Sequence, residues 1–239
     1  MKPVKGIIFD YGGTIDTNGV HWGELIIEQY REAGIPIEEK MLRDTYVHGE
    51  RMLAKNPIIK QEDTFLSLLR KKMRLQFEYL AEHTDLDCSC EEKAMEIAGK
   101  CYQKVLDTMK TTIPVIDSLH RRYRMVLVTN FYGNMHTVLE EFGLSDYFCN
   151  IIESSVEGIR KPDPALFSLG IERLGTEANE TFVIGDSYRK DIYPAGTLGC
   201  TTAWLKNRCW EEEAVVPGHE PGFIIDSLEK LPDIVERIK

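Results

Sequence analysis

The chain has 239 residues, 43% of them hydrophobic and 28% charged, an ordinary balance for a globular protein with room for a full core and one inserted domain. Its net charge of -10 argues against a polyanionic partner such as nucleic acid, while leaving room for a small phosphorylated metabolite met by local cations. No apolar run approaches the ~20 residues a membrane helix needs, and Met1 to Gly6 lacks the apolar stretch of a signal peptide, so a cytoplasmic protein without membrane contact is expected.

In chain order, the apolar run Val4 to Phe9 is predicted as a buried strand, and it leads directly into Asp10-Tyr11-Gly12-Gly13-Thr14. A carboxylate at a strand end, followed by glycines and a hydroxyl, suits a phosphate or a metal. Between Asp10 and Met125 lies far more chain than one crossover helix requires, and nearly all of it reads helical. Helices are predicted over Glu38 to Ala54 and Glu91 to Lys110. A third is marked by Phe65, Leu69, Met73 and Phe77, with Leu68 and Leu80 on the same side. The basic run Arg70-Lys71-Lys72 with Arg74 reads as the solvated face of that helix. His48, Arg51 and Lys55 stand on the Glu38 helix with no spacing that selects them.

Further strands are predicted at Met125 to Thr129, Thr181 to Ile184, Thr201 to Leu205 and Phe223 to Ile225. Helices between them run from Met135 to Phe142, Pro164 to Leu174 and Asp191 to Leu198, each stopping at a glycine. This alternation predicts an α/β fold with a parallel, Rossmann-like sheet. Core residues are expected at 1–16 and 111–239, with an all-helical cap domain at 17–110 hinged near Asp16 to Gly19 and Lys110 to Pro114. Trp204 and Trp210 read as core. The six cysteines read as reduced thiols; one residue between Cys88 and Cys90 is the wrong spacing for a zinc or redox site.

Polar groups crowd the strand ends: Asp10; Thr129-Asn130; Lys161-Pro162-Asp163-Pro164 ahead of a helix; and Gly185-Asp186-Ser187 with Asp191. Phosphoryl transfer needs such a set: a nucleophile, carboxylates for a divalent cation, donors and a fixed positive charge. In order and spacing these motifs resemble the haloacid dehalogenase (HAD) superfamily, in its phosphatase-like branch with a helical cap. The resemblance implies that Asp10 attacks phosphorus and becomes an aspartyl-phosphate, and that Mg²⁺ sits among Asp10, the Gly12 carbonyl and Asp186, with Asp191 nearby. It also implies that Thr129, Asn130 and Lys161 hold the phosphoryl group, with Lys161 neutralising the nucleophile as well.

The chain departs from that pattern at Gly12, where family phosphatases carry the aspartate that protonates the leaving group and activates water. The expectation is a slow or specialised Mg²⁺-dependent hydrolase of a phosphomonoester or acyl phosphate. Asp16 is the nearest spare carboxylate. Two alternatives stay open: a weak or inactive phosphate-binding or regulatory protein, and a phosphonatase-like C–P hydrolase using a cap lysine such as Lys55.

Overall fold

The computed structural model describes residues 2–85 and 91–238, so the Cys88/Cys90 pair lies outside the described residues. Six strands form one parallel sheet: β1 (Gly6–Phe9), β2 (Arg124–Thr129), β3 (Asn150–Glu153), β4 (Thr181–Gly185), β5 (Thr201–Leu205) and β6 (Phe223–Ile225). Their spatial order is β3-β2-β1-β4-β5-β6. Every residue of β1 and β4 is buried, as is all of β2 after Arg124, because helices cover both faces. Strand order reverses at β1, and its carboxyl end beside that of β4 is where an open α/β sheet leaves a crevice for ligands.

Among the described residues four helices occupy the long insertion: α1 (Trp22–Glu32), α2 (Glu39–Lys55), α3 (Phe65–His83) and α4 (Glu91–His120). The α3 stripe is observed, with Phe65, Leu68, Leu69, Met73, Phe77 and Leu80 all buried. Helix α4 runs past the expected end at Lys110 to His120, with Pro114 inside it. Its buried residues recur at three- and four-residue intervals from Ala94 to Leu119, so one apolar face serves both the insertion and the helices that flank the sheet. The stretch expected to hinge is therefore helical, weakened only by the amide that proline lacks.

The remaining helices are α5 (Met135–Glu141), α6 (Ser154–Glu157), α7 (Ala165–Leu174), α8 (Tyr193–Thr197) and α9 (Leu231–Arg237). Gly175 ends α7 in the left-handed conformation that glycine adopts without strain. The helix expected from Asp191 begins instead with a π-helical turn over Tyr188–Ile192. Strand β3 has no counterpart among the expected strands, since Asn150-Ile151-Ile152-Glu153 offers only two apolar residues between polar ones. Among the described residues no helix is long and apolar enough to cross a membrane.

Candidate active site

Asp10 extends β1 by one residue, its N–H donating to the Ile184 carbonyl at 2.9 Å, which sets its carboxylate at the sheet's carboxyl edge. The chain then turns at once. The amides of Thr14 and Ile15 donate to the Tyr11 carbonyl at 3.1 and 2.8 Å, and Gly13 takes φ +92°. Tyr11 is fully buried with its ring edge-on to Phe65 and Phe131, which anchors the turn against α3 and the segment after β2.

Lys161 reaches the same point from the loop before α7. Its Nζ lies 2.6 Å from Asp10 Oδ1 and 2.6 Å from Asp191 Oδ1, and all three side chains are buried. Thr14 Oγ1 donates to Asp10 Oδ2 at 3.0 Å, and the Ser187 N–H donates to Asp191 Oδ2 at 3.1 Å. Burial pushes the Asp10 carboxyl up to about 6 even though Lys161 pulls it down. Burial also works against the Lys161 ammonium, but the two aspartates outweigh it and hold the charge. Gly185 completes the fit: a Cβ there would strike Asp191.

Asp186 differs from its neighbours. Its carboxylate has no donor among the described residues, and burial first, then Asp10 and Asp191, push its pKa well up. Oxygens of Asp10, Asp186 and Asp191 all lie within 4.8 Å of one another. A hard cation with oxygen ligands fits this donor set, since it would satisfy Asp186 and offset the crowding of charge. Asp191 stands in the same acidic group while its oxygens also accept from Lys161 Nζ and the Ser187 N–H.

The structure thus gathers Asp10, Gly12, Thr129, Asn130, Lys161, Asp186 and Asp191 around one cavity of about 700 Å³. Asn130 differs from expectation in its side chain. Its Nδ2 donates to the Lys161 carbonyl at 3.1 Å, and its Oδ1 accepts the Lys161 N–H at 2.9 Å, so it positions the lysine rather than offering its amide to a ligand. Asp16 is also held inward, Oδ1 accepting the Gly13 N–H at 2.7 Å and Oδ2 the Trp22 Nε1–H at 2.8 Å. Burial lifts its pKa to about 7. Both oxygens are committed to shaping the turn.

Two expectations change around the cavity. Lys72 is buried and lines the cavity, whereas Arg70 and Arg74 on the same run stay at the surface; its position seven residues after Phe65 and four after Leu68 places it on the apolar stripe, the signal that identifies it. Trp210 is only half-buried and lines the cavity with Arg43 stacked 4.2 Å from its ring centroid; the connection from β5 to β6 is long, as functional loops often are. Gly23 makes room for it, since a Cβ there would meet the indole. Lys55 lies exposed at the end of α2 and does not line the cavity, and His48 stacks on Tyr79 instead. His21, also in the wall, is pulled down to about 4 by burial.

A family model for haloacid dehalogenase-like hydrolases matches residues 4–199. The chain is 26% identical over 238 residues to a phosphoglycolate phosphatase of Vibrio vulnificus, covering 98% of this chain and 97% of that one. It is 33% identical over 101 residues to a glyceraldehyde 3-phosphate phosphatase of Methanocaldococcus jannaschii, but there the match spans 42% of this chain and 43% of the relative, under half its length. Among solved structures, YfnB of Bacillus subtilis bound to magnesium superposes with a TM-score of 0.58 at 20% identity, covering 98% of this chain and 99% of that one. With the motifs at the matching strand ends, the chain belongs to the haloacid dehalogenase-like hydrolase family.

Proposed function

We propose that this protein is a Mg²⁺-dependent phosphatase that hydrolyses a small phosphomonoester or acyl phosphate through Asp10. The observation that carries this reading is the Asp10 carboxylate, fixed at the sheet edge between the Lys161 ammonium and the Thr14 hydroxyl and facing a cavity beside the unpaired carboxylate of Asp186. The full-length likeness to a phosphoglycolate phosphatase supports the same reaction class.

Asp10 attacks phosphorus, the bond from phosphorus to the leaving oxygen breaks, and an aspartyl-phosphate forms; water then attacks phosphorus, releasing inorganic phosphate and restoring the carboxylate. Lys161 keeps Asp10 ionised and offsets charge on the transferring group. Thr129, buried at the end of β2 in the cavity wall, is the hydroxyl donor for a phosphoryl oxygen. Asn130 and Asp191 hold Lys161 in place. Asp10, the Gly12 carbonyl and Asp186 would hold Mg²⁺, which supplies positive charge to the phosphoryl oxygens.

No carboxylate stands at residue 12, and Asp16 is tied to Gly13 and Trp22, so protonation of the leaving group is the weak step. Substrates whose leaving groups need little protonation are favoured. The insertion covers the cavity as a cap whose opening admits substrate. The test is hydrolysis of a panel of phosphomonoesters and acyl phosphates in Mg²⁺ and in EDTA. Mg²⁺-dependent release of phosphate, lost in Asp10→Asn, is the expected result. Equal rates in EDTA, or wild-type turnover by Asp10→Asn, would overturn it.

A further inference from the structure

A cavity of about 700 Å³ matches sites that enclose a whole small ligand and is much larger than a phosphoryl group requires. The wall away from Asp10 is therefore available to the leaving group. Trp22, Tyr46, Phe65, Phe131, Tyr132 and Trp210 line the cavity as well and make much of its wall aromatic. One ion pair is set into this wall. Lys72 Nζ lies 2.7 Å from Glu50 Oε1, and Tyr132 Oη donates to Glu50 Oε2 at 2.8 Å. The ammonium stands over the rings of Trp22 and Tyr132, 5.5 and 5.7 Å from their centroids.

Both charges are retained in the wall. Burial works against the Glu50 carboxylate, but Lys72 outweighs it and holds the pKa below its ordinary value; burial likewise opposes the Lys72 ammonium, and Glu50 outweighs that. Such a pair is not explained by stability, because apolar replacements of a buried ion pair are often neutral or stabilising. An ammonium carries three donors, and among the described residues Glu50 is the one carboxylate within ion-pair distance of Lys72, so donors remain for a ligand at the cavity wall.

We propose that Lys72 and Glu50 form a recognition dyad for the leaving group, an inference that rests on the phosphatase reading above. The dyad selects an uncharged body that presents an acceptor to Lys72 beside a donor to Glu50, and an apolar face to the aromatic wall. Neighbouring sugar hydroxyls and the edge of a heterocyclic base share this chemistry. A leaving group ending in a carboxylate gains Lys72 but is repelled by Glu50 and offers it no donor, so small phosphorylated acids are disfavoured.

The experiment compares kcat/KM for a hexose phosphate, a nucleoside monophosphate, phosphoglycolate and para-nitrophenyl phosphate in Mg²⁺. The hexose phosphate arm and the nucleotide arm distinguish the two sources. One of them should exceed phosphoglycolate by about tenfold or more, the scale of one buried charge-assisted hydrogen bond. In the double variant Lys72→Met/Glu50→Gln, the ratio of that substrate to para-nitrophenyl phosphate should fall by about tenfold, chiefly through KM. Tyr132→Phe, which removes the hydroxyl that holds Glu50 in position without removing a charge, should shift the ratio the same way by less, and it serves if the double variant does not fold. A preference for phosphoglycolate, or a uniform loss on every substrate, overturns the dyad. If nothing is hydrolysed the phosphatase reading fails alone, and calorimetric titration with the same hexose and nucleoside phosphates decides the dyad: binding lost in the variants supports it, and unchanged or absent binding overturns it.

Discussion

Gly13 and the Asp186 carboxylate stand so close that a Cβ at residue 13 would collide with the carboxylate oxygens, and residue 13 also holds φ +92°. Gly12 has neither constraint: its φ is not positive, and a Cβ there would meet nothing within 4 Å. The two adjacent glycines therefore have different physical reasons. Gly13→Ala should destabilise the fold by at least ~1–2 kcal/mol from the left-handed backbone alone and displace Asp186, seen as a lower Tm and a weakened response to Mg²⁺.

Gly12→Asp, by contrast, should fold without steric strain, its metal-free Tm lowered only by the added negative charge beside Asp10. A carboxylate there restores a group able to protonate the leaving oxygen, so turnover of an alkyl phosphate should rise by up to ~100-fold, and of an aryl phosphate by less. Steady-state kinetics on the two substrate types checks this. Lower activity on both would show that extra negative charge beside Asp10 outweighs the gain.

Metal dependence has a readout apart from turnover. Mg²⁺ binding to the folded chain alone should raise Tm by mass action. Asp186→Asn should abolish that rise while the variant keeps or exceeds the metal-free Tm of the wild type, because three crowded carboxylates become two. A Tm rise that survives in Asp186→Asn would place the cation elsewhere.

Asp16 predicts a pH effect on stability. Burial raises its carboxyl from an ordinary 3.8 to about 7, so between those values the folded chain holds a proton the unfolded chain releases. Its contribution is full below the lower value and is lost as pH rises through the upper one, a span of ~4 kcal/mol at most. Asn at this position does not titrate. The Tm of Asp16→Asn relative to wild type should therefore climb steadily from about pH 4 to about pH 8, measured in EDTA. A constant difference across that range would contradict the assignment.

The insertion is tied to the sheet domain by Glu141, which accepts the Phe65 N–H and the Tyr102 hydroxyl, and by Arg43 on Trp210. Glu141→Ala should loosen this side, leaving the start of α3 without its acceptor. Faster amide exchange confined to the segment around Phe65, with the β1 and β4 amides unaffected, is the expected result.

The family, the parallel sheet and the order of the site residues were legible in the sequence because each depends on local pattern. Apolar runs four to six residues long ended in Asp10, Thr129 and Asp186, and parallel strands buried on both faces put those ends at one edge. That residue 12 is a glycine was likewise plain from the residues alone. Other features depended on neighbours distant in sequence. Asn130, expected beside the phosphoryl group, also clamps Lys161, 31 residues away, and the direction of Asp16, toward Gly13 and Trp22, is set by the fold. Lys72 lost its place on the solvated face because α2 brought Glu50 against it and Trp22 and Tyr132 closed around the ammonium. Periodicity tells which face of a helix is buried, but the charge a buried residue keeps is decided by the partner that tertiary packing supplies.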